Sequence, residues 1–272
     1  MAVENLTYTN IITAEALQAL SDVVIFDCRA KLGAPGWGRS AFNEAHLPGA
    51  QFLDLDEDLA APPDHRGRHP LPDTETWLAT VRKFGVKNED QIVIYDDASG
   101  AYAARAWWMF RWLGHEAVAV LDGGIQNWGG QLDQAVSAPS RSDFHMKAPL
   151  TRLINSPEVA SSLSELNLID ARAEARFNGE EEPIDPIAGH IPGATCLPFQ
   201  GNLDHQGNFL PPDVLADRFD RSGQDLTCYC GSGVTACHNI LAMHIAGLSE
   251  PQLYADSWSG WITDTNRPVA TL

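Results

Sequence analysis

Of the five cysteines in this 272-residue chain, one sits in a loop suited to chemistry. Leu226-Thr227-Cys228-Tyr229 reads as the end of an apolar strand. Val234, Ile240, Leu241, Ile245 and Leu248 mark the apolar stripe of a helix. Between them runs Cys230-Gly231-Ser232-Gly233-Val234-Thr235. Two glycines let the backbone curl so that its N–H groups converge, and the helix N-terminus adds partial positive charge. A cysteine at the centre of such a cradle is expected to be held as thiolate, the nucleophilic form. The plain alternative is an inert buried thiol, and the Gly-rich strand-to-helix setting of Cys230 argues against it. Cys28 and Cys237 read as core. Cys228 lies two residues from Cys230, too close for an unstrained disulfide. With Cys196 the count is odd and lacks zinc spacing, so neither a metal nor another cofactor is expected.

A loop of this kind needs a parallel sheet beneath it, and the chain writes that unit twice. Val24-Ile25-Phe26-Asp27-Cys28-Arg29 is echoed by Leu168-Ile169-Asp170-Ala171-Arg172, and Ala45-His46-Leu47-Pro48-Gly49 by Gly189-His190-Ile191-Pro192-Gly193. Ile92-Val93-Ile94-Tyr95 matches Leu226 to Tyr229. The stretch Val120 to Gly124 with Trp128 matches Leu253 to Ser257 with Trp261. The order is the same in both halves, and the period is far above that of a solenoid. Thr13 caps a predicted helix at Ala14–Leu17, and further helices are predicted over 77–84 and 103–113, alternating with strands over 23–26, 91–95 and 117–121. The fold class is therefore α/β: two tandem domains, each a mainly parallel sheet flanked by helices. Residues 1–130 form the first domain and 152–272 the second. The Pro- and Ser-rich stretch 131–151 reads as the linker. In such sheets ligands bind beyond the carboxyl ends of the strands, where Cys230 falls.

The first half places Asp96 where the second places Cys230, so only the second half carries a nucleophile. The net charge of −18, from 36 acidic and 18 basic residues, excludes nucleic acid and anionic membranes as partners. It also means that a small anionic substrate needs local arginines. Met1 to Leu6 shows no secretory signal, and no apolar run has the length of a membrane span, so a cytoplasmic protein is expected.

Together, the duplicated unit and the Cys230 loop resemble the tandem-domain sulfurtransferases built from two rhodanese modules. The loop is similar to the form typical of 3-mercaptopyruvate sulfurtransferases; thiosulfate-preferring rhodaneses carry an Arg-Lys pair where this chain has Gly231-Ser232. The resemblance covers nearly the whole chain. It implies ping-pong transfer through a Cys230 persulfide, with pyruvate released and sulfur passed to cyanide, a small thiol or a thioredoxin-like protein. It gives Ser232 a part in protonating the departing enolate, and Thr235 a part in closing the loop by hydrogen bonding. Arg176, in Ala175-Arg176-Phe177, is the implied carboxylate-binding residue. Arg172 is carried beside it, although its D-x-R setting also reads as a structural ion pair. His46 is the relay candidate, set against a turn histidine bonded to backbone, as its copy His190 suggests. The second substrate arginine of the family, before the His-x-Pro-Gly turn, is missing; Glu180-Glu181-Glu182-Pro183-Ile184-Asp185 stands there. Ala255-Asp256 departs from the family's Asp-Gly as well. The competing readings are a thiosulfate sulfurtransferase and a non-enzymatic sulfur-carrier or regulatory module, the latter expected to lack the cysteine in both halves. A cysteine phosphatase needs a loop-closing arginine where Ala236 stands.

Overall fold

The apolar runs that open each half become the inner strands of two five-stranded parallel sheets. The computed structural model describes residues 7–220 and 225–272; the N-terminal stretch Met1 to Leu6, read above for a signal, lies outside them. In the first unit, strands β1 (Ile11–Ile12), β2 (Val23–Asp27), β3 (Gln51–Phe52), β4 (Gln91–Tyr95) and β5 (Val118–Leu121) lie in the order β1-β5-β4-β2-β3. Helices α1 (Ala14–Gln18), α2 (Trp37–Glu44), α3 (Thr74–Lys83) and α4 (Ala103–Trp112) connect them. Thr13 caps α1 through its Oγ1, which accepts from Ala16 N at 3.2 Å. In the second unit, β6 (Arg152–Ile154), β7 (Asn167–Asp170), β8 (Thr195–Cys196), β9 (Leu226–Tyr229) and β10 (Gln252–Tyr254) repeat the order as β6-β10-β9-β7-β8. Their helices are α5 (Ser156–Ser161), α6 (Glu174–Asn178), α7 (Pro212–Phe219), α8 (Ala236–Ile245) and α9 (Ser257–Trp261). Both central strands, β4 and β9, are buried almost throughout, as parallel strands covered on both faces must be. The α8 helix is shorter than its apolar stripe, which extends to Val234 before it and Leu248 after it.

Each D-x-R strand end is a clamp. Arg29 grips Asp27 through Nε and Nη2, at 2.9 and 2.7 Å to Oδ2, and Nη2 also donates to Ala45 O at 2.7 Å. Arg172 does the same with Asp170 (3.0 and 2.6 Å) and Gly189 O (2.7 Å). A planar fork thus ties each strand end to the turn carrying His46 or His190, at full bidentate geometry.

The division of the chain departs from the contiguous halves read in the sequence. One unit comprises residues 1–54 and 74–150, the other 55–73 and 151–272. The stretch expected as linker packs on the first unit as far as Leu150. Asp133 exchanges two backbone bonds with His46 (2.9 and 2.8 Å), Ser142 N donates to Arg82 O at 2.9 Å, and Phe144 is fully buried. The segment 55–73 is anchored in the second unit: Arg68 N donates to Ser259 Oγ at 3.1 Å, and Thr263 Oγ1 donates to His65 O at 2.9 Å. A Cβ on Gly67 (φ +111°) would lie 2.5 Å from Ser259 Oγ, so only glycine allows this approach. Among the described residues no helix is long and apolar enough to cross a membrane.

Candidate active site

Cys230 directly follows β9 and is 2% exposed. The backbone of the loop after it is held by the start of α9. Trp258 N donates to Cys230 O at 3.0 Å, Ser259 N to Gly231 O at 2.9 Å, and Cys230 N to Ser257 Oγ at 3.0 Å. Ser257 adopts φ 55°, a left-handed conformation rare for a residue with a Cβ, at the place where the first unit has Gly124 (φ 66°). The bond from Cys230 N supplies a reason to keep serine there despite the strain. Gly233 (φ +77°) packs so tightly that a Cβ would meet Ala255 O at 2.3 Å. Thr235 is the N-cap residue of α8, but its side chain makes no capping bond. The loop closure that the resemblance gave to Thr235 is thus carried here by Ser257 and the α9 backbone.

The first unit shows what this loop geometry is for. There Asp96, fully buried, turns its own carboxylate into the cradle: Oδ1 accepts from Ala98 N and Gly100 N, and Oδ2 from Tyr102 N and Ala103 N, all at 2.8–2.9 Å. The two loops are in register, with Ser99 (φ 53°) at the place of Gly233. The matching N–H groups of Ser232, Val234 and Ala236 bond to no protein group among the described residues, while Cys237 N turns to Val234 O at 3.1 Å. One loop is filled by a built-in anion. The other keeps three of the four corresponding N–H groups without a protein partner among the described residues.

Side chains of the second unit gather at the loop that Cys230 opens. Ser232 Oγ lies 2.7 Å from His69 Nδ1, and His69 Nε2 lies 3.3 Å from Asp56 Oδ1. His69 is buried while Asp56 is largely exposed, so the chain runs from the loop towards solvent. Arg176 Nε contacts both oxygens of Glu182 at 3.0 Å, and its Nη2 reaches Asp185 Oδ2 at 3.0 Å. Arg68 Nη1 pairs with the other oxygen of Asp185. Burial alone would raise the pKa of Glu182, but Arg176 and the N–H groups of Asp185 and Ile184 outweigh it and hold the carboxyl below its usual range. The acidic stretch 180–185 is therefore a holder for the arginines.

Two further sequence candidates are held by structural contacts. Arg172 is 3% exposed, clamped on Asp170, with Nη1 3.5 Å from Glu182 Oε2 and its guanidinium 4.7 Å over the Trp258 ring. Burial works against its charge, yet Asp170 more than offsets this and raises the pKa. His46 lies in the first unit with Nδ1 2.7 Å from Phe42 O and Nε2 3.2 Å from Ala135 O. It stacks on Phe42 with ring centres 3.9 Å apart, and His190 stacks on Phe177 at 3.7 Å with Nδ1 2.8 Å from Phe177 O. Sequence reasoning missed His69, Asp56 and Arg68. The available signal was an irregular stretch of nineteen residues, 55–73, with clustered Arg and His, unusually long for a structureless connection.

A buried cysteine in a Gly-rich strand-to-helix loop, beside arginines and a Ser-His pair, stands on one of two repeated α/β units built on parallel sheets. The chain belongs to the rhodanese family: the Rhodanese-like domain matches residues 13–131 and 149–264. It is 47% identical to the "Probable 3-mercaptopyruvate sulfurtransferase" of Pseudomonas aeruginosa over 96% of this chain and 98% of that one. It is 35% identical to the thiosulfate sulfurtransferase of Gallus gallus, covering 82% of this chain and 80% of that protein. The crystal structure of SseA from Escherichia coli, from work on 3-mercaptopyruvate sulfotransferases, superposes with a TM-score of 0.78 at 29% identity, covering 93% of this chain and 100% of that one. The protein is a sulfurtransferase of the 3-mercaptopyruvate sulfurtransferase-like kind.

Proposed function

We propose that the enzyme takes sulfur from 3-mercaptopyruvate onto Cys230 as a persulfide, releases pyruvate, and passes the sulfur to a thiophilic acceptor. The observation that carries this reading is the neutral, small Gly231-Ser232 filling of the loop, with Ser232 Oγ 2.7 Å from His69 Nδ1. The Cys230 thiolate attacks the donor's sulfur, an S–S bond forms, and the C–S bond breaks with its electron pair left on the pyruvate enolate. Ser232 Oγ–H gives that enolate a proton and is replenished through His69, whose ring Asp56 orients. The N–H groups of Ser232, Val234 and Ala236 support the charge on the outer sulfur. An acceptor thiolate or cyanide then attacks that sulfur and regenerates the Cys230 thiolate. Arg176 grips the donor carboxylate. A thiosulfate donor needs no such proton, because sulfite leaves as a stable anion. A cytoplasmic setting suits five cysteines of which none forms a disulfide.

Intact-mass measurement after exposure to mercaptopyruvate or thiosulfate tests the reading. One added sulfur atom is expected, faster from mercaptopyruvate. Peptide mapping is expected to place it on Cys230, since burial with Asp170 and Glu174 pushes Cys196 up to about 12 and burial pushes Cys228 up as well. No adduct from either donor would sink it.

His69→Ala separates the proton relay from mere support of the loop. With mercaptopyruvate kcat is expected to fall about 10²-fold, the lower range for a lost general acid. With thiosulfate the sulfur-loading rate is expected to stay within about threefold, because no proton is delivered in that step. Equal losses with both donors would mean that His69 only holds Ser232 in place.

A further inference from the structure

Given a 2-oxo acid donor, as proposed above, we infer that Arg68 is the second carboxylate-binding residue, paired with Arg176 by Asp185, and that Gly231 is small in order to admit it. Asp185, with a side chain only 3% exposed, is divided between two guanidinium groups, Oδ1 to Arg68 Nη1 and Oδ2 to Arg176 Nη2. Glu182 takes the remaining edge of Arg176, through Nε and Nη2. What the acids leave over is specific: Arg68 Nη2 and Arg176 Nη1 hydrogen-bond to no protein group among the described residues.

Both of these nitrogens converge on the residue next to the nucleophile. A Cβ built on Gly231 would lie 2.9 Å from Arg68 Nη2 and 3.5 Å from Arg176 Nη1. The Arg68 side chain is 27% exposed and that of Arg176 14%, so neither is sealed in the core. A carboxylate has two oxygens and takes one N–H from each of two cations as readily as two from a single fork. Placed there, the carboxylate of a three-carbon 2-oxo acid lies beside Gly231, and the sulfur at its far end falls to the neighbouring Cys230. The net charge of −18 opposes any anion at long range, so two local cations are the expected remedy. Asp185 also explains why arginines with this task sit among acids. It fixes their angle without consuming the donors that face the loop.

Steady-state kinetics with mercaptopyruvate test the assignment. Arg68→Gln is expected to raise KM at least about tenfold while kcat stays within about threefold, the signature of lost ground-state binding. Arg68→Lys, which keeps the charge and loses the fork, is expected to fall between. Gly231 is outside the left-handed region, so Gly231→Ala is tolerated by the backbone. Its methyl displaces only the tip of Arg68, and KM is expected to rise several-fold even if Arg68→Gln fails to fold. A KM within about twofold of wild type in Arg68→Gln and Gly231→Ala, or a fall in kcat alone, overturns the role of Arg68. A wild-type enzyme that takes no sulfur from mercaptopyruvate defeats instead the donor reading on which this role depends.

Discussion

Cys230→Asp is expected to stop sulfur transfer, by at least about 10⁴-fold, and yet to give a protein that melts above Cys230→Ala. The first effect is loss of the nucleophile. The second comes from the twin loop, where Asp96 satisfies four backbone donors with one carboxylate. An aspartate at 230 meets the same arrangement in the N–H groups of Ser232, Val234 and Ala236. Hydrogen bonds to a charged group contribute about 1.5–3 kcal/mol each in favourable cases. Against this stands the cost of burying a carboxylate at a position only 2% exposed. A net gain of about 1–2 kcal/mol over alanine is expected, read from thermal or urea unfolding alongside the activity. A melting point below that of Cys230→Ala would show that the donors of the second loop do not converge as those of the first do.

Asp96→Ala should be the most damaging single change in the first unit. It leaves four N–H groups without their acceptor at a site with no exposure. Leaving a buried donor unsatisfied costs about 1–3 kcal/mol, and the urea midpoint is expected to fall accordingly with little change in slope. Asp96→Asn, which keeps one carbonyl acceptor, should recover part of the loss. A destabilisation under about 1 kcal/mol would mean that water replaces the carboxylate at little cost. The side chain in the place of Cys230 thus acts as an internal acceptor for its loop, which accounts for the first loop keeping the shape of the second.

Much of this was legible because it is local or repeated. The D-x-R clamps join residues two apart, the Cys230 loop has its glycines in sequence, and the duplication exposes every shared strand. Asp96 against Cys230 could be read from alignment of the halves alone. Three of the missed residues share one cause. His69, Asp56 and Arg68 lie on a segment without periodicity that crosses to the other unit, and nothing in its composition names the surface it joins. The acidic stretch 180–185 read as the loss of an arginine; the structure makes Glu182 and Asp185 supports for Arg176 and Arg68. The sequence leaves His46 open between a relay and a turn histidine bonded to backbone, and its ring bonds to backbone and stacks on Phe42 as the second reading expects.

The placement of 55–73 also bears on how the duplicated gene can be divided. A fragment cut at the apparent repeat boundary, residues 152–272, keeps Cys230, Ser232 and Arg176 but leaves behind Asp56, Arg68 and His69. On the roles proposed above, the half that looks self-sufficient is not expected to work as an isolated module. The segment it needs lies within the first repeat in sequence, so a cut between the repeats parts Cys230 from it.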